Sequence, residues 1–501
     1  MSIHRSYFSK NNTIFYNSFT NVGLAPYTEI YFGSAMDVIS PVGYSRFLFD
    51  LNLTDLIEKF STGIISTGCT GFNGITHTLR MVNTSTFDKS LLNSEMWNGR
   101  LRATSFDLNL VRIPKVSGDT GDPQTWDEGV GSDYYDVQNT LNFSNGLLAP
   151  IALPQNRSYS QRPSNWYQRT TINNWSEYGI YSNVNTGLTP FSSMTIVDTQ
   201  HFSQGNEDIE FDMTNEINSI LTGGTTGNTG WLVSFPPQLE LLSGLTQNYS
   251  VAFFDRNTQT FYEPYLETVY DDLIEDDRNT FYKNRENKLY LYSYIDGDLV
   301  NLDFPPSAIL VDSSDNILQG PITSCLKTKG IYEVTFTAIT SSTIVTNCTL
   351  YDIWTGVTYN GISLSNITNQ FVLQSYTKSI QLGPDSQDPI LYGFDYYGIK
   401  QDEKILNTDI RKVGITIKKA YSTNETLKKV SVYYRIYVRE GQTEVQVQDW
   451  TKVNRSYNQY YFMFDTRDKI PNEYYIDLKV YSDGSADTYK KQIKFQIVNK
   501  K

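Results

Sequence analysis

Apolar and polar side chains alternate along most of the chain, and a period of two predicts strands from one end to the other. In the phrase Ser45 to Leu51, Phe47, Phe49 and Leu51 fall on one side, and Arg46, Leu48 and Asp50 on the other. Phe106, Leu108 and Leu110 repeat the pattern against Asp107 and Asn109, and the run stops at Pro114. Phe254-Asp255-Arg256-Asn257-Thr258, leading to Glu263-Pro264-Tyr265-Leu266-Glu267, reads the same way much later in the chain. Strands this far apart predict neighbours in one large sandwich or jelly roll, not the arms of a hairpin. A second strand-rich stretch follows, with Lys288 to Tyr292, then Tyr332, Val334 and Phe336, then Cys348 to Trp354. The last stretch alternates most regularly: Val432, Tyr434, Ile436 and Val438 oppose Tyr433, Arg435, Tyr437 and Arg439, and Tyr474 to Val480 and Ile493 to Ile497 keep the period.

The expected fold is therefore all-β, a large N-terminal jelly-roll-like β-sandwich followed by two Ig-like β-sandwich domains. The boundaries predicted are an N-terminal arm over 1–30, the large domain over 31–280, and small domains over 281–384 and 385–501. The acidic run Asp271, Asp272, Glu275, Asp276 and Asp277 marks a linker or domain edge, and Gly383-Pro384-Asp385-Ser386 a second seam. Two short helices interrupt the first domain. Leu53, Leu56, Ile57 and Phe60 recur at helical spacing behind Asn52 or Thr54 as a cap, and Ile217, Ile220 and Leu221 behind Asp212 or Thr214, ending at Gly223-Gly224.

Composition narrows the function classes. The 501 residues carry Lys+Arg 41 against Asp+Glu 54, a net charge of −13, which offers no footprint for gripping phosphates. The aromatic share of 14%, with Tyr 37 against Met 7, is a β-protein palette. The start lacks the apolar core of a signal peptide, and no stretch approaches the ~20 apolar residues that span a bilayer, so neither export by that route nor a membrane is expected. The eleven Asn-x-Ser/Thr sequons are then read as Asn/Thr-rich composition rather than glycan sites. Three cysteines at wide spacing exclude a disulfide framework or structural zinc site; Cys325 and Cys348 are expected as free buried thiols, a bridge between them being the alternative.

Candidate chemistry is sparse. Asp119, Asp122, Asp127, Glu128, Asp133 and Asp136 among Gly118, Gly121, Gly129 and Gly131 supply hard oxygen ligands of the kind Ca²⁺ takes, but without EF-hand spacing, and a solvated acidic loop is the preferred reading. Trp166, Tyr167, Trp175, Tyr178 and Tyr181 form either a sugar-stacking platform or, preferred here, part of a core or subunit interface. Arg46 and Arg256 are expected to pair structurally with a carboxylate such as Glu267. His4, His77 and His201 are isolated, no GxSxG elbow occurs, and Gly223 to Gly227 lacks the lysine of a phosphate loop, so no catalytic residue, cofactor or enzyme activity is expected.

Segments in order carry a resemblance: Arg46-Phe47-Leu48-Phe49-Asp50-Leu51; Ser105 to Leu110; Trp126-Asp127-Glu128-Gly129-Val130-Gly131; Phe211-Asp212-Met213-Thr214 with Leu221-Thr222-Gly223; and Ala252 to Thr258 with Pro264 to Glu267. On these, residues 30 to 270 resemble the DNRLRE-type β-sandwich of bacterial surface proteins and phage virion proteins. The whole chain, with two Ig-like repeats behind, is similar to tail-barrel or collar ring proteins of crAss-like podoviruses. That resemblance implies a virion tail protein assembled in the host cytoplasm. It would be a 12-fold ring of identical subunits below the portal, contacting neighbouring tail and collar proteins, with DNA only passing through an acidic lumen. Arg46, Trp126, Trp166, Trp175 and Arg256 are the residues expected to serve structure or interface. The alternative is a carbohydrate-binding adhesin or receptor-binding module.

Overall fold

The computed structural model describes residues 2–16, 21–33, 43–84, 101–102, 105–115, 124–129, 163–181, 195–223, 229–240, 249–274, 276–279, 281–283, 286–336, 348–373, 392–419, 430–440, 443–456, 459–467, 469–482 and 485–499. The chain is all-β, a large sandwich followed by two Ig-like sandwiches, as the alternation predicts. Buried apolar side chains fall into separate clusters, the main one of the first domain lying within residues 8–266, the next within 281–373 and the last within 392–497.

The segment 1–30, expected as an arm, instead supplies the strand that joins the first domain's sheets. Ser2–Phe15 pairs antiparallel with Tyr265–Tyr270 through its first half and with Gly43–Leu51 through its second, the register shifting between Phe8 and Lys10. A shift of this kind bends a strand and lets it serve two sheets. One layer continues from Tyr265–Tyr270 to Thr76–Met81 and Ile209–Asp212. The other runs from Gly43–Leu51 to Trp231–Ser234, Phe106–Arg112 and Thr195–Phe202. Tyr27–Gly33 also meets Gly43–Leu51 at Tyr44 and carries Tyr249–Phe254 beside it.

Gly43–Leu51 is covered on both faces: Arg46, Phe47, Leu48 and Phe49 are all fully buried. The alternation of its side chains is real, but the side carrying Arg46 faces a second covering layer rather than water. Phe8 stacks on Phe49, and Phe49 on Trp231. Full burial of each Phe contributes about 1.5–3 kcal/mol.

Helix α1 (Thr54–Ser61) buries Leu56 and exposes Ile57; the Asn52 side-chain Oδ1 accepts the Thr54 amide at 3.2 Å. Helix α2 (Thr214–Leu221) buries Ile217, Asp212 accepts the Thr214 amide at 2.9 Å, and Gly223 follows at φ +72. A third helix of four residues, α3 (Pro237–Glu240), has no periodic signature in the sequence.

In the middle domain, the sheet Asn287–Tyr292, Ile331–Phe336, Cys325–Thr328 packs on Ile317–Thr323, Ser307–Asp312, Thr349–Thr355, Ile367–Val372, with Trp354 fully buried between them. The acidic run is knit into this junction. Asp271 pairs with Lys327 at 2.9 Å, Asp272 accepts the Ser2 hydroxyl, and Asp276 shares Arg278 with the buried Asp352. Cys348 is a free thiol, whereas Cys325 is disulfide-bonded. The expectation of a free thiol at Cys325 is thereby corrected, and Cys348 is not its partner; spacing alone had no means of placing the bond.

The last domain pairs Tyr392–Tyr397, Ile410–Lys419, Gln459–Asp465 and Asn454–Ser456 in one sheet. Its other sheet is Glu403–Leu406, Ser485–Val498, Glu473–Ser482, Ser431–Glu440 and Thr443–Lys452. Val432, Tyr434, Ile436, Val438, Ile476, Leu478, Phe495 and Ile497 fill the space between them. The seam expected at Gly383 to Ser386 lies outside the described residues.

Candidate functional site

Arg46 sits at the centre of the first domain with no exposed surface. Its guanidinium donates Nε to Glu240 Oε1 at 3.1 Å and Nη2 to Oε2 at 2.6 Å, a two-point pairing that fits the planar fork. Its Nη1 donates to the carbonyls of Gly179 and Tyr181. The Tyr181 ring lies 3.6 Å from the guanidinium carbon, Trp166 4.9 Å and Tyr44 5.3 Å. Burial works against the charge, but Glu240 and Tyr181 outweigh it and hold the group above the usual arginine range. Arg46 therefore fastens the 163–181 segment and helix α3 to the central strand. The carboxylate is Glu240, not Glu267.

Trp126, Trp166 and Trp175 are buried in the same core, so they serve packing within the domain and are withdrawn from any interface or sugar platform. Tyr181 is buried with them, Tyr167 is half-buried, and Tyr178 is exposed. Arg256 pairs with Glu128 at 2.7 Å, again not with Glu267, and donates to the Ser9 carbonyl. Asp127 accepts the Thr171 amide at 3.2 Å. Of the candidate Ca²⁺ ligands, Asp119, Asp122, Asp133 and Asp136 lie outside the described residues, and among the described residues no group of three His, Cys, Asp or Glu is placed to hold a metal ion. His77 is buried between Thr268 and Asn218.

A concentration of ionisable groups lies where the last domain meets the first. Thr76, Thr78 and Arg80 share one face of their strand, as do Glu210 and Asp212, and Glu267 and Val269. Opposite them stand Val430, Ser431, Val432, Lys452, Val453, Arg455 and Tyr460, enclosing a cleft of about 350 Å³. Arg80 is held by Glu210 at 2.7 Å and Glu267 at 3.1 Å; Lys452 reaches Glu210 at 2.6 Å and Arg455 reaches Glu267 at 3.9 Å. Burial would raise the Glu210 carboxyl, but Arg80 and Lys452 pull it down to about 2. A general acid at neutral pH needs a raised carboxyl, and Glu210 is moved the other way.

Beside the cleft, Asp208 is fully buried and accepts the Tyr461 hydroxyl at 2.5 Å and the Asn83 amide at 2.8 Å. Its own amide donates to Asn454 Oδ1 at 2.9 Å. Burial pushes its carboxyl up to about 7 against those hydrogen bonds. The void it lines is only about 10 Å³, room for no more than a water.

Sequence reasoning missed this set, and Glu240 with it. Charged residues alternating on a strand read as a solvent-facing edge, and nothing local distinguishes a face that another domain will cover. The one available signal was the density of opposite charges, Arg80, Glu210 and Glu267, on strands of the first domain's outer layer.

No family model and no curated protein matches the sequence. Among solved structures, the fibronectin(III)-like modules of Clostridium thermocellum CbhA are similar at 10% identity over 44% of this chain and 88% of that chain, with a TM-score of 0.15. A titin A168–A169 fragment matches at 7% identity over 45% and 98%, with a TM-score of 0.16. The endo-β-1,4-mannanase of Thermotoga petrophila matches at 19% identity over 23% and 21%, with a TM-score of 0.15. Likenesses at these scores carry no argument about what the chain does.

Proposed function

We propose that this chain is a virion structural protein, a ring subunit of a phage tail barrel or collar below the portal. The observation that supports it most is the placement of the resemblance segments in one domain. Arg46 to Leu51, Ser105 to Leu110, Phe211 to Thr214, Ala252 to Thr258 and Pro264 to Glu267 contribute to one sandwich, and the described part of the Trp126 segment packs on it through the buried Trp126. Rigid sandwiches set side by side close a ring when the rotation per subunit closes. A net charge of −13 on each subunit, repeated around the axis, gives an acidic wall past which DNA slides without adhering.

Native mass spectrometry and negative-stain imaging of the purified chain, with mass analysis of purified virions, test this reading. Closed rings and a stoichiometric copy number in particles are the expected result, twelve subunits being the number the resemblance implies. Absence from virions removes the proposal. Ring contacts dominated by apolar and aromatic groups are expected to survive an increase from low to moderate salt; dissociation to monomers contradicts that.

A further inference from the structure

The first and last domains each have their own apolar core, and no described cluster spans both. The polar contacts between them are Lys452 with Glu210, Arg455 with Glu267, Asn454 with the Asp208 amide and the Asn206 carbonyl, Asn206 with the Met463 carbonyl, and Tyr461 with Asp208. The 350 Å³ cleft runs along this seam, so its two walls are not packed to interior density. Interfaces of this kind separate without unfolding either partner. The middle domain is docked by links of the same kind, Ser66 to the Leu326 carbonyl, Thr328 to the Ile64 carbonyl, Asn301 to the Thr62 carbonyl and Lys327 to Asp271, and its docking strand also carries the disulfide-bonded Cys325.

We infer that the seam is a latch from which the last domain swings free as a folded unit, with Asp208 as its proton-sensitive element. The groups facing Asp208 are Tyr461 and Asn454 from two strands of the last domain, Lys412 from a third, the Asn83 amide from behind Thr76–Met81, and Glu207 and Glu210 from its own segment. Arg80, Arg455, Tyr262 and Glu263 line the same small void. Lys412 is a cation whose charge acts on Asp208, and its own charge is disfavoured by burial.

The sign follows from the two states. Docked, Asp208 has its carboxyl raised to about 7 by burial; release exposes it to water and moves it back toward the ordinary carboxylate range. The docked state therefore binds the proton more tightly, and docking is strongest in acid, weakening as pH rises from about 4 to about 7 and levelling above that. Glu210, already at about 2, stays ionised throughout this window. Between pH 5 and pH 8 the docking equilibrium is expected to fall, by at most on the order of 100-fold, the ceiling set by full return of the released carboxyl to its ordinary value. Salt adds to release by screening the half-exposed Lys452.

The test is hydrogen exchange on the full chain at pH 5 to 8, corrected for intrinsic rates, with small-angle scattering in parallel. Peptides over 204–212 report the seam, because the Asp208 amide is bonded across it; peptides over 474–480 report the core of the last domain. Seam peptides exchanging faster as pH rises while core peptides stay protected, with the pH response flattened in Asp208→Asn, support the latch. Exchange of seam and core only together overturns it, as does an unchanged pH response in Asp208→Asn. Should that variant fail to fold, Lys452→Met decides, since it lies on the surface: faster seam exchange alone supports the latch, and no change refutes it.

Discussion

Replacing Glu240 by alanine is the sharpest perturbation of the first domain's frame. The substitution removes the bonds at 3.1 and 2.6 Å and leaves the Arg46 guanidinium with no exposed surface to hydrate it. Hydrogen bonds to charged groups are worth about 1.5–3 kcal/mol each. Stranding one member of a buried pair costs about 3–5 kcal/mol. The Gly179 and Tyr181 carbonyls and the Tyr181 ring still face the cation, which keeps the loss inside that range. Urea unfolding followed by tryptophan fluorescence reads it, because Trp126, Trp166, Trp175 and Trp231 all lie in the affected core. Calorimetry separates the first domain's transition from those of its neighbours. The pair is out of reach of ions, so the loss should not change with salt. The double variant Arg46→Met with Glu240→Met should lose less than Glu240→Ala alone, since it strands no charge. A loss below about 1 kcal/mol in Glu240→Ala, or a double variant that loses the sum of its singles, refutes the reasoning.

Burial holds His77 down to about 4, so its contribution to stability is lost as pH falls from 6.5 to about 4, by about 3 kcal/mol in all. Asp208 and Asp255, both raised to about 7 by burial, act in the opposite direction, so the comparison of His77→Gln with the parent chain isolates the histidine; equal acid sensitivity in both contradicts the assignment. Alkylation without reductant, followed by peptide mass analysis, should label Cys348 and spare Cys325, which reacts only after reduction. Gly179 combines φ +69 with a site where a Cβ would lie 2.3 Å from the Trp166 ring, so Gly179→Ala should lower stability by more than about 2 kcal/mol in the same urea assay, and a neutral result would count against the packing of that segment.

The fold was legible wherever one face of a strand meets a core and the other meets water. Ile476, Leu478 and Val480, and Ile493, Phe495 and Ile497, are buried as their period requires. The reading failed where a strand is covered twice. Arg46 and Leu48 share a side, as expected, but that side is sealed by the 163–181 segment and helix α3. The N-terminal stretch Ser2 to Phe15, expected within an arm over 1–30, is a strand that carries Asn11, Asn12 and Thr13 in its middle. All three are fully buried, Asn12 bonding to Ser164 and Asn11 to Asp255. Polar side chains satisfied by partners more than a hundred residues away leave no mark on local periodicity. Pairing of arginines failed for the same reason: Arg256 and Arg46 each had several carboxylates to choose from, and topology chose Glu128 and Glu240.

Both small domains meet the first through hydrogen bonds and ion pairs, and a disulfide-bonded cysteine sets the middle one apart. The middle domain's contacts cluster on the strand Cys325–Thr328, where side chains of Ser66 and Thr328 and the Lys327–Asp271 pair join it to the 62–66 turn and the acidic run. That same strand carries the disulfide at Cys325. Disulfides are rare in reducing cytoplasm, so under the proposed assembly in an infected cell this bond forms only once the particle meets an oxidising surrounding. No described cysteine lies at the seam of the last domain, whose links are hydrogen bonds and ion pairs that protons and salt can loosen. A comparison of reduced and oxidised chain separates the two: oxidation should slow exchange at 324–328 and leave 204–212 unchanged, and an equal effect at both would mean that the domains are mechanically coupled.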